Sequence, residues 1–508
     1  MSKLNIFGAT SAFLLFSLIH QLAAANDLTL DGAALDGLAL EGLNRGDLTQ
    51  KPNLVIFYVD DLGYGDLASY GHPIVKTPNI DQIANEGIKY TQYYAPAPLC
   101  SPSRAGLLTG RTPYRTGIRS WIAEGQDVYL GKKEITIAHL LKRQGYQTAV
   151  MGKLHLNGGI QMEGHSQTPD MGFDYAFVMP GGFAKNEEVE KPAKNGSARV
   201  GKMFPDNFYR NGVAVGETEA FSGQLVADEV IDWLSLKEAG KPFFLYIPFS
   251  EVHTPVASSP EYLEMYSDYI TPHAQANPDV FHWDWLDLPF RGQGEYYANI
   301  SYLDAQVGRV IHKLKALGVY DQTIIIFTSD NGPVTRESRK PWELFMAGET
   351  GGFRGRKDNL LEGGIRVPAI VRYPAIIKAG SVSDEPVYGL DFLPTLADML
   401  SFDVPDDRVI DGQSIVKTFV GQKLDRKSMI WTIDMPGQDD EVNEWAFRVG
   451  DHKLILDRKE EPKFLFNLKQ DPYEMVNLLQ QEKGLVAKLK QQFWKLKLDI
   501  ESDPVNNL

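Results

Sequence analysis

At 508 residues, the chain is long enough to bury a large core and to carry a second domain. Its formal net charge of −15 excludes nucleic acid as the expected partner, because phosphate binding needs a basic face. The one cysteine, Cys100, has no internal disulfide partner, so it is inert, intermolecular or chemically special.

Residues 1–25 have the pattern of an export signal. Lys3 is followed by a largely apolar stretch from Leu4 to Leu22 and by the small-residue cleavage site Ala23-Ala24-Ala25. That stretch is short and polar-interrupted for an anchor, and no later segment has the length and apolarity of a bilayer span, so no membrane association is expected. Export without disulfides points to a periplasmic or secreted bacterial protein. Leu30-Asp31-Gly32, Leu35-Asp36-Gly37 and Leu40-Glu41-Gly42 repeat at a period that suits neither helix nor strand, and residues 26–50 read as a low-complexity leader. Asn195-Gly196-Ser197 and Asn299-Ile300-Ser301 match the glycosylation pattern, which short sequences satisfy easily by chance.

From Pro52 the character changes. Leu54–Val59, Thr148–Met151, Phe243–Ile247 and Thr323–Thr328 are continuous apolar runs, as expected of strands buried on both faces. Helix-like stretches at 135–144, 222–237 and 296–317 separate them. This alternation predicts an α/β fold, a large, mostly parallel sheet sandwiched by helices, over residues 51–404. Residues 391–400 read as the last helix of that unit. Residues 405–508 read as a smaller subdomain: an antiparallel sheet from pieces at 445–456 and 464–468, with one helix at 483–498.

In such sheets ligands bind beyond the carboxyl ends of the strands. The four runs lead into Asp60-Asp61, Gly152-Lys153-Leu154-His155, Ser250-Glu251-Val252-His253 and Ser329-Asp330-Asn331-Gly332. Asp60, Asp61, Asp330 and Asn331 offer oxygen ligands, which suit a hard cation such as Ca²⁺ or Mg²⁺. Taken singly, each residue has a plainer reading: a solvated acidic turn, a structural histidine, a surface lysine. Around Cys100, Ser101 suits an N-cap, Pro102 the first helical position and Gly110 the C-terminal stop. Residue 100 would then sit at a helix N-terminus, where a thiol pKa falls or another oxyanion is stabilised. Arg104, one turn in, would add its guanidinium.

The run Cys100-Ser101-Pro102-Ser103-Arg104, followed by Leu107-Leu108-Thr109-Gly110, resembles the signature of type I sulfatases, members of the alkaline phosphatase superfamily. The resemblance extends in order through Pro52–Asp66, Gly152–His155 (with Leu154 where Trp is commoner), His253-Thr254-Pro255, Thr328–Gly332, Lys357 and Glu362–Pro368, and on to Gly450–Ile455 and Asp471–Glu474. The resemblance implies an alkaline-phosphatase-like fold, conversion of Cys100 to Cα-formylglycine by a formylglycine-generating or sulfatase-maturating enzyme, and one Ca²⁺ held by Asp60, Asp61, Asp330, Asn331 and the modified Cys100. It further implies that a hydroxyl of the hydrated aldehyde attacks sulfur. Arg104 and Lys153 would stabilise the aldehyde-derived oxygens, His253 and Lys357 would hold the sulfate and protonate the departing alcohol, and His155 would take the proton that releases sulfate.

Similarity to glycan-directed members makes a sulfated polysaccharide or oligosaccharide the expected substrate, a galactan such as carrageenan among them. Arg354 and Arg356 beside Lys357, with Trp283 and Trp342 in loops after strand-end motifs, are the candidate substrate-binding residues. Two other readings are a formylglycine-dependent phosphodiester or phosphonate monoester hydrolase, and a non-catalytic sulfoglycan-binding protein. The intact set of polar residues argues against the second.

Overall fold

The segment Asn53–Val59 (β1) is buried along its whole length because both of its faces meet apolar layers. Val55, Phe57 and Val59 enter one core, and Leu54, Ile56 and Tyr58 enter the other. This is the two-residue alternation of a strand covered twice, and it is why the run is apolar without interruption. The computed structural model describes residues 51–181, 205–253, 256, 258–269, 292–334, 347–434 and 443–503. The export signal, the leader, Trp283 and Trp342 lie outside the described residues, as does Asn195.

In chain order, β1 is followed by helix α1 (Pro78–Glu86), β2 (Ile88–Tyr90), α2 (Cys100–Thr109), α3 (Ile137–Arg143), β3 (Gln147–Lys153) and β4 (Tyr175–Met179). Then come α4 (Ser222–Leu236), β5 (Phe243–Phe249), α5 (Gly292–Ala316), β6 (Thr323–Ser329), the single turn α6 (Glu362–Ile365), β7 (Ala369–Arg372), β8 (Ser381–Ser383) and α7 (Phe392–Leu400). The sheet runs β8-β2-β7-β6-β1-β5-β3-β4 and closes with the short strands Tyr209–Arg210 and Val213–Ala214. Five neighbouring strands, β6, β1, β5, β3 and β4, are parallel, while β7 runs antiparallel to both β6 and β2.

Helices α4 and α5 cover one face with Val226, Val230, Leu303, Val307 and Val310, and α2 and α3 cover the other with Leu107, Leu108, Leu140 and Leu141. The expected α/β sandwich is therefore the observed one. Among the described residues no helix is long and apolar enough to cross a membrane.

A separate antiparallel sheet follows, β9 (Met429–Thr432), β10 (Asn443–Val449), β11 (His452–Asp457) and β12 (Pro462–Asn467), with helix α8 (Lys483–Glu501). One face, with Trp445, Phe447 and Leu454, packs on Leu489, Phe493 and Ile500 of α8. The other face, with Trp431, Ala446, Ile455 and Phe466, packs on Tyr94, Leu99, Ile365 and Tyr388 of the large unit.

Three local expectations change. Residues 445–456 are not one strand but two, broken at Gly450 in the left-handed region (φ 56°). Helix α7 is followed by a further turn, Val416–Phe419, whose Phe419 fills the same core as Leu393 and Leu396. Ser101 does not cap α2: Leu99 is the N-cap residue, and Cys100 is already the first helical residue. The Ser101 hydroxyl instead accepts from the Ile122 amide at 3.1 Å. It is Ser103 that ties down the entering chain, accepting from Ala97 N and donating to Ala97 O. The matching tripeptide at Asn299 is no acceptor site, since Asn299 is fully buried inside α5.

Candidate active site

The sheet register builds the site. Val59 stands opposite both Ser329 and Phe249, so Asp60, Asp330 and Ser250 leave three adjacent parallel strands at one level. The chain ends are cross-tied: Asp330 N donates to Val59 O, Asp60 N to Glu251 O, and Val252 N to Asp60 O. Ser329, which the sequence did not single out as functional, locks the turn by accepting from Leu62 N and donating to Asn331 O. Asp61 takes a left-handed conformation (φ 64°) that turns its carboxylate back over the strand ends, where Asn331 Nδ2 donates to it at 2.7 Å.

Helix α2 enters this rim with its first turn. Cys100 Sγ lies 3.3 Å from Asp60 Oδ1 and 3.6 Å from Lys357 Nζ. Lys153 Nζ, at the end of β3, pairs with Asp60 Oδ2 at 2.5 Å. Lys357 Nζ pairs with Asp61 at 2.7 and 2.9 Å, and His253 Nε2 stands 3.7 Å from the same carboxylate. The fully buried Arg104 donates from Nε and Nη2 to Asp330 Oδ2 and from Nη1 to Lys153 O, with its guanidinium over the Tyr58 ring. Ten sequence candidates thus share one neighbourhood: Asp60, Asp61, Cys100, Arg104, Lys153, His155, His253, Asp330, Asn331 and Lys357.

Ligand atoms of Asp60, Asp61, Cys100 and Asp330 all lie within 4.8 Å of one another. Asn331 Oδ1, buried beside them, has no hydrogen-bond partner among the described residues. A buried acceptor oxygen without a donor, on a side chain whose Nδ2 already meets Asp61, is open to a cation, and the donor set is hard oxygen throughout, apart from Cys100. The residues fit a hard divalent ion.

Electrostatics corrects the expectation for the thiol. Burial and the Asp60 carboxylate push Cys100 well above the ordinary thiol range, outweighing Lys153 and Lys357. The expected lowering is not found, and an unmodified Cys100 thiol raised in this way is a poor nucleophile. Asp60 behaves oppositely: burial works against its charge, yet Lys153, His253 and Arg104 hold it well below the usual carboxylate range. Burial, helped by Lys153 and Arg104, lowers His155 well below its ordinary value. His155 Nε2 lies 2.9 Å from the Ile122 carbonyl, which can only accept, so Nε2 carries the hydrogen. Its Nδ1 is bare and buried, with no partner among the described residues.

The candidate substrate-binding residues are less gathered. Arg354 is exposed and donates to the Glu474 carbonyl at 2.9 Å, with its head near the Phe464 ring. Arg356 is half-buried in the same loop. His139 completes a capping box with Thr136, His165 meets Asp127 at 3.0 Å, and Tyr64 packs on Tyr70 and Phe353, all of them structural contacts. Gly181, which nothing in the sequence marked, lies directly against the His155 ring.

Residues 52–402 match the Sulfatase family model, about two thirds of the chain. The chain belongs to the sulfatase family. It is an enzyme that hydrolyses sulfate esters. Residues 348–499 also match the model for the C-terminal region of N-sulphoglucosamine sulphohydrolase. The sulfatase is 32% identical to human steryl-sulfatase over 422 residues, covering 73% of this chain and 70% of that protein. It is likewise 32% identical to N-acetylgalactosamine-6-sulfatase of Rattus norvegicus over 391 residues, covering 74% of this chain and 67% of the other. Among solved structures, that of Ps i-CgsB in complex with k-i-k-neocarrahexaose superposes with a TM-score of 0.72 at 25% identity, covering 88% of this sulfatase and 93% of that chain.

Proposed function

We propose that this sulfatase acts on a sulfated polysaccharide or oligosaccharide, a galactan such as carrageenan being the foremost class, with Cys100 converted to Cα-formylglycine and one calcium ion as cofactors. The observation that carries the reading is the first turn of α2, where Cys100 meets three carboxylates within 4.8 Å and the Lys357 ammonium at 3.6 Å. Support for a glycan comes from the carrageenan oligosaccharide bound by Ps i-CgsB and from similarity to N-acetylgalactosamine-6-sulfatase.

Asp60, Asp61, Asp330 and Asn331, with modified Cys100, would hold the ion. Together the ion and the hydrated aldehyde supply a nucleophilic oxygen at neutral pH and a counter-charge for the sulfuryl oxygens. Arg104, Lys153 and Lys357 neutralise Asp60, Asp61 and Asp330 one for one, so the occupied site keeps a net positive charge for an anionic ester inside a chain of net charge −15. Arg104 holds Asp330 and the Lys153 carbonyl, and Lys153 orients the oxygens on residue 100. Lys357 Nζ and His253 Nε2 bind the sulfate group and deliver a proton to the departing alcohol. Neutral His155 presents Nδ1, its one lone-pair nitrogen, to accept the proton whose loss releases sulfate. Burial of these groups keeps bulk water from competing.

We further propose export after removal of residues 1–25, maturation by a formylglycine-generating or sulfatase-maturating enzyme, and division into a catalytic and a small C-terminal part, moved from about residue 405 to beyond Phe419 because that ring fills the core of the large unit. The test is sulfate release from a panel of carrageenans, ulvan, fucoidan and glycosaminoglycan oligosaccharides, with conversion at residue 100 followed by mass spectrometry. Release from one glycan, lost in Cys100→Ser, is the expected result. Converted protein that prefers nitrophenyl phosphodiesters to nitrophenyl sulfate in kcat/KM would overturn it.

A further inference from the structure

The segment that carries Lys357 has no regular structure of its own, and its position is set from outside. Lys357 N donates to Pro333 O, and Asp358 N to Pro98 O. Behind it the chain folds back on α6: Gly363 N donates to Arg354 O at 2.7 Å. A Cβ on Gly364 would stand 2.0 Å from Asn359 O and 2.5 Å from Arg356 O. The backbone on both sides of Lys357 therefore rests on the turn that Glu362 begins.

That turn is held by the C-terminal sheet. Glu362 N donates to Glu474 Oε2 at 2.7 Å, and Arg354 Nη1 donates to Glu474 O at 2.9 Å. Lys453 Nζ, from β11, bridges Glu362 Oε1 at 3.0 Å and Glu474 Oε1 at 2.9 Å. The second Glu362 oxygen accepts from Tyr94 Oη and Arg366 Nη1. The side chains of Lys453, Glu362 and Glu474 are fully buried. Buried ionisable groups are costly to desolvate and are stable only as a set, so they add little net stability but fix a geometry. A cluster that merely docked the two parts would have no reason to hold the chain on both sides of one active-site lysine, by the Glu362 amide on one side and the Arg354 guanidinium on the other.

We propose that Lys453 and Glu474 are positioning residues for Lys357, clamping the 354–362 segment so that its ammonium meets the sulfate ester and the leaving oxygen. This rests on the role given to Lys357 above. Lys453 and Glu474 touch no reacting atom; their influence passes through the backbone of the clamped segment.

The test is a double-mutant cycle on matured full-length protein, with nitrophenyl sulfate and phenyl sulfate as probes. Lys453→Met and Glu474→Ala should each lower kcat about tenfold or more. The loss should be larger on phenyl sulfate, whose leaving group needs the proton more, as in Lys357→Ala. Added to Lys357→Ala, either change should cost no more than about twofold further. Should Lys453→Met not fold, as judged by near-ultraviolet circular dichroism, Glu474→Ala and Glu474→Gln carry the cycle with Lys453 still paired to Glu362. Independent, additive losses without leaving-group selectivity would overturn the positioning role alone. Full activity in Lys357→Ala would overturn the reading of Lys357 and this proposal with it.

Discussion

Gly181 closes against the imidazole of His155: a Cβ at position 181 would stand 2.4 Å from Cδ2 and 2.8 Å from Nε2 of that ring. The Nε2 of that ring is already held by the bond to Ile122 O. Gly181→Ala must therefore displace His155, and the bare Nδ1 with it. A displacement of about 1 Å at a catalytic group lowers turnover by about a hundredfold. The expected outcome is a large fall in kcat with a melting temperature near that of the parent, measured by steady-state kinetics and calorimetry. An unchanged kcat would remove His155 from the chemistry.

Chelation should act on both stability and activity. With three carboxylates converging and the Asn331 oxygen unpartnered among the described residues, a bound divalent ion stabilises the fold by roughly 2.7 kcal/mol at a hundredfold excess over Kd. Treatment with EGTA should lower the melting temperature and abolish sulfate release, and added Ca²⁺ should restore both. Identical melting and full turnover with and without the chelator would rule out a functional metal.

The Lys453 cluster predicts a pH dependence. Burial raises Glu474 to about 7 against the pull of Lys453, with Glu362 raising it further. Glu362 is itself lowered: burial opposes its charge, but Lys453, Arg366 and Arg448 prevail, with Tyr94 donating to it. The folded state thus binds the Glu474 proton more tightly than the unfolded chain does. The stability it contributes is complete below the unfolded pKa of about 4.3 and is lost as pH rises through the folded value. Relative to Glu474→Gln, the parent should lose on the order of 3 kcal/mol between about pH 4 and pH 7. Urea unfolding across that range measures it, and parallel curves for the two proteins would refute it.

Phe493 packs helix α8 on the small sheet together with Leu489 and Ile500. Phe493 is fully buried, 5.5 Å from the Trp445 ring and 6.1 Å from the Phe447 ring. Phe493→Ala should cost about 3–5 kcal/mol, the usual range for emptying an aromatic core site. The urea midpoint of the C-terminal part reads it; a cost below about 1 kcal/mol would mean that α8 packs loosely there.

Where the sequence was sufficient, local chemistry was doing the work. A strand buried on both faces must be continuously apolar, so β1, β3, β5 and β6 could be read directly from Leu54–Val59 and its counterparts, and the polar residues after them marked the rim. The Cys100 run, by its resemblance to the type I sulfatase signature, named the chemistry. The tertiary structure decided what depends on chain segments far apart in sequence. The Cys100 thiol is raised rather than lowered because desolvation and Asp60, forty residues away, outweigh Lys153 and Lys357. Ser101 gave up its capping position because Ile122 N competes for its hydroxyl. Gly181 at the His155 ring, and Lys453 and Glu474 behind Lys357, owe their positions to packing between segments. The sequence determined which groups exist and at which strand ends they emerge; only the fold determined which of them meet, and in what dielectric, because charge interactions depend on through-space distance and burial rather than on order along the chain.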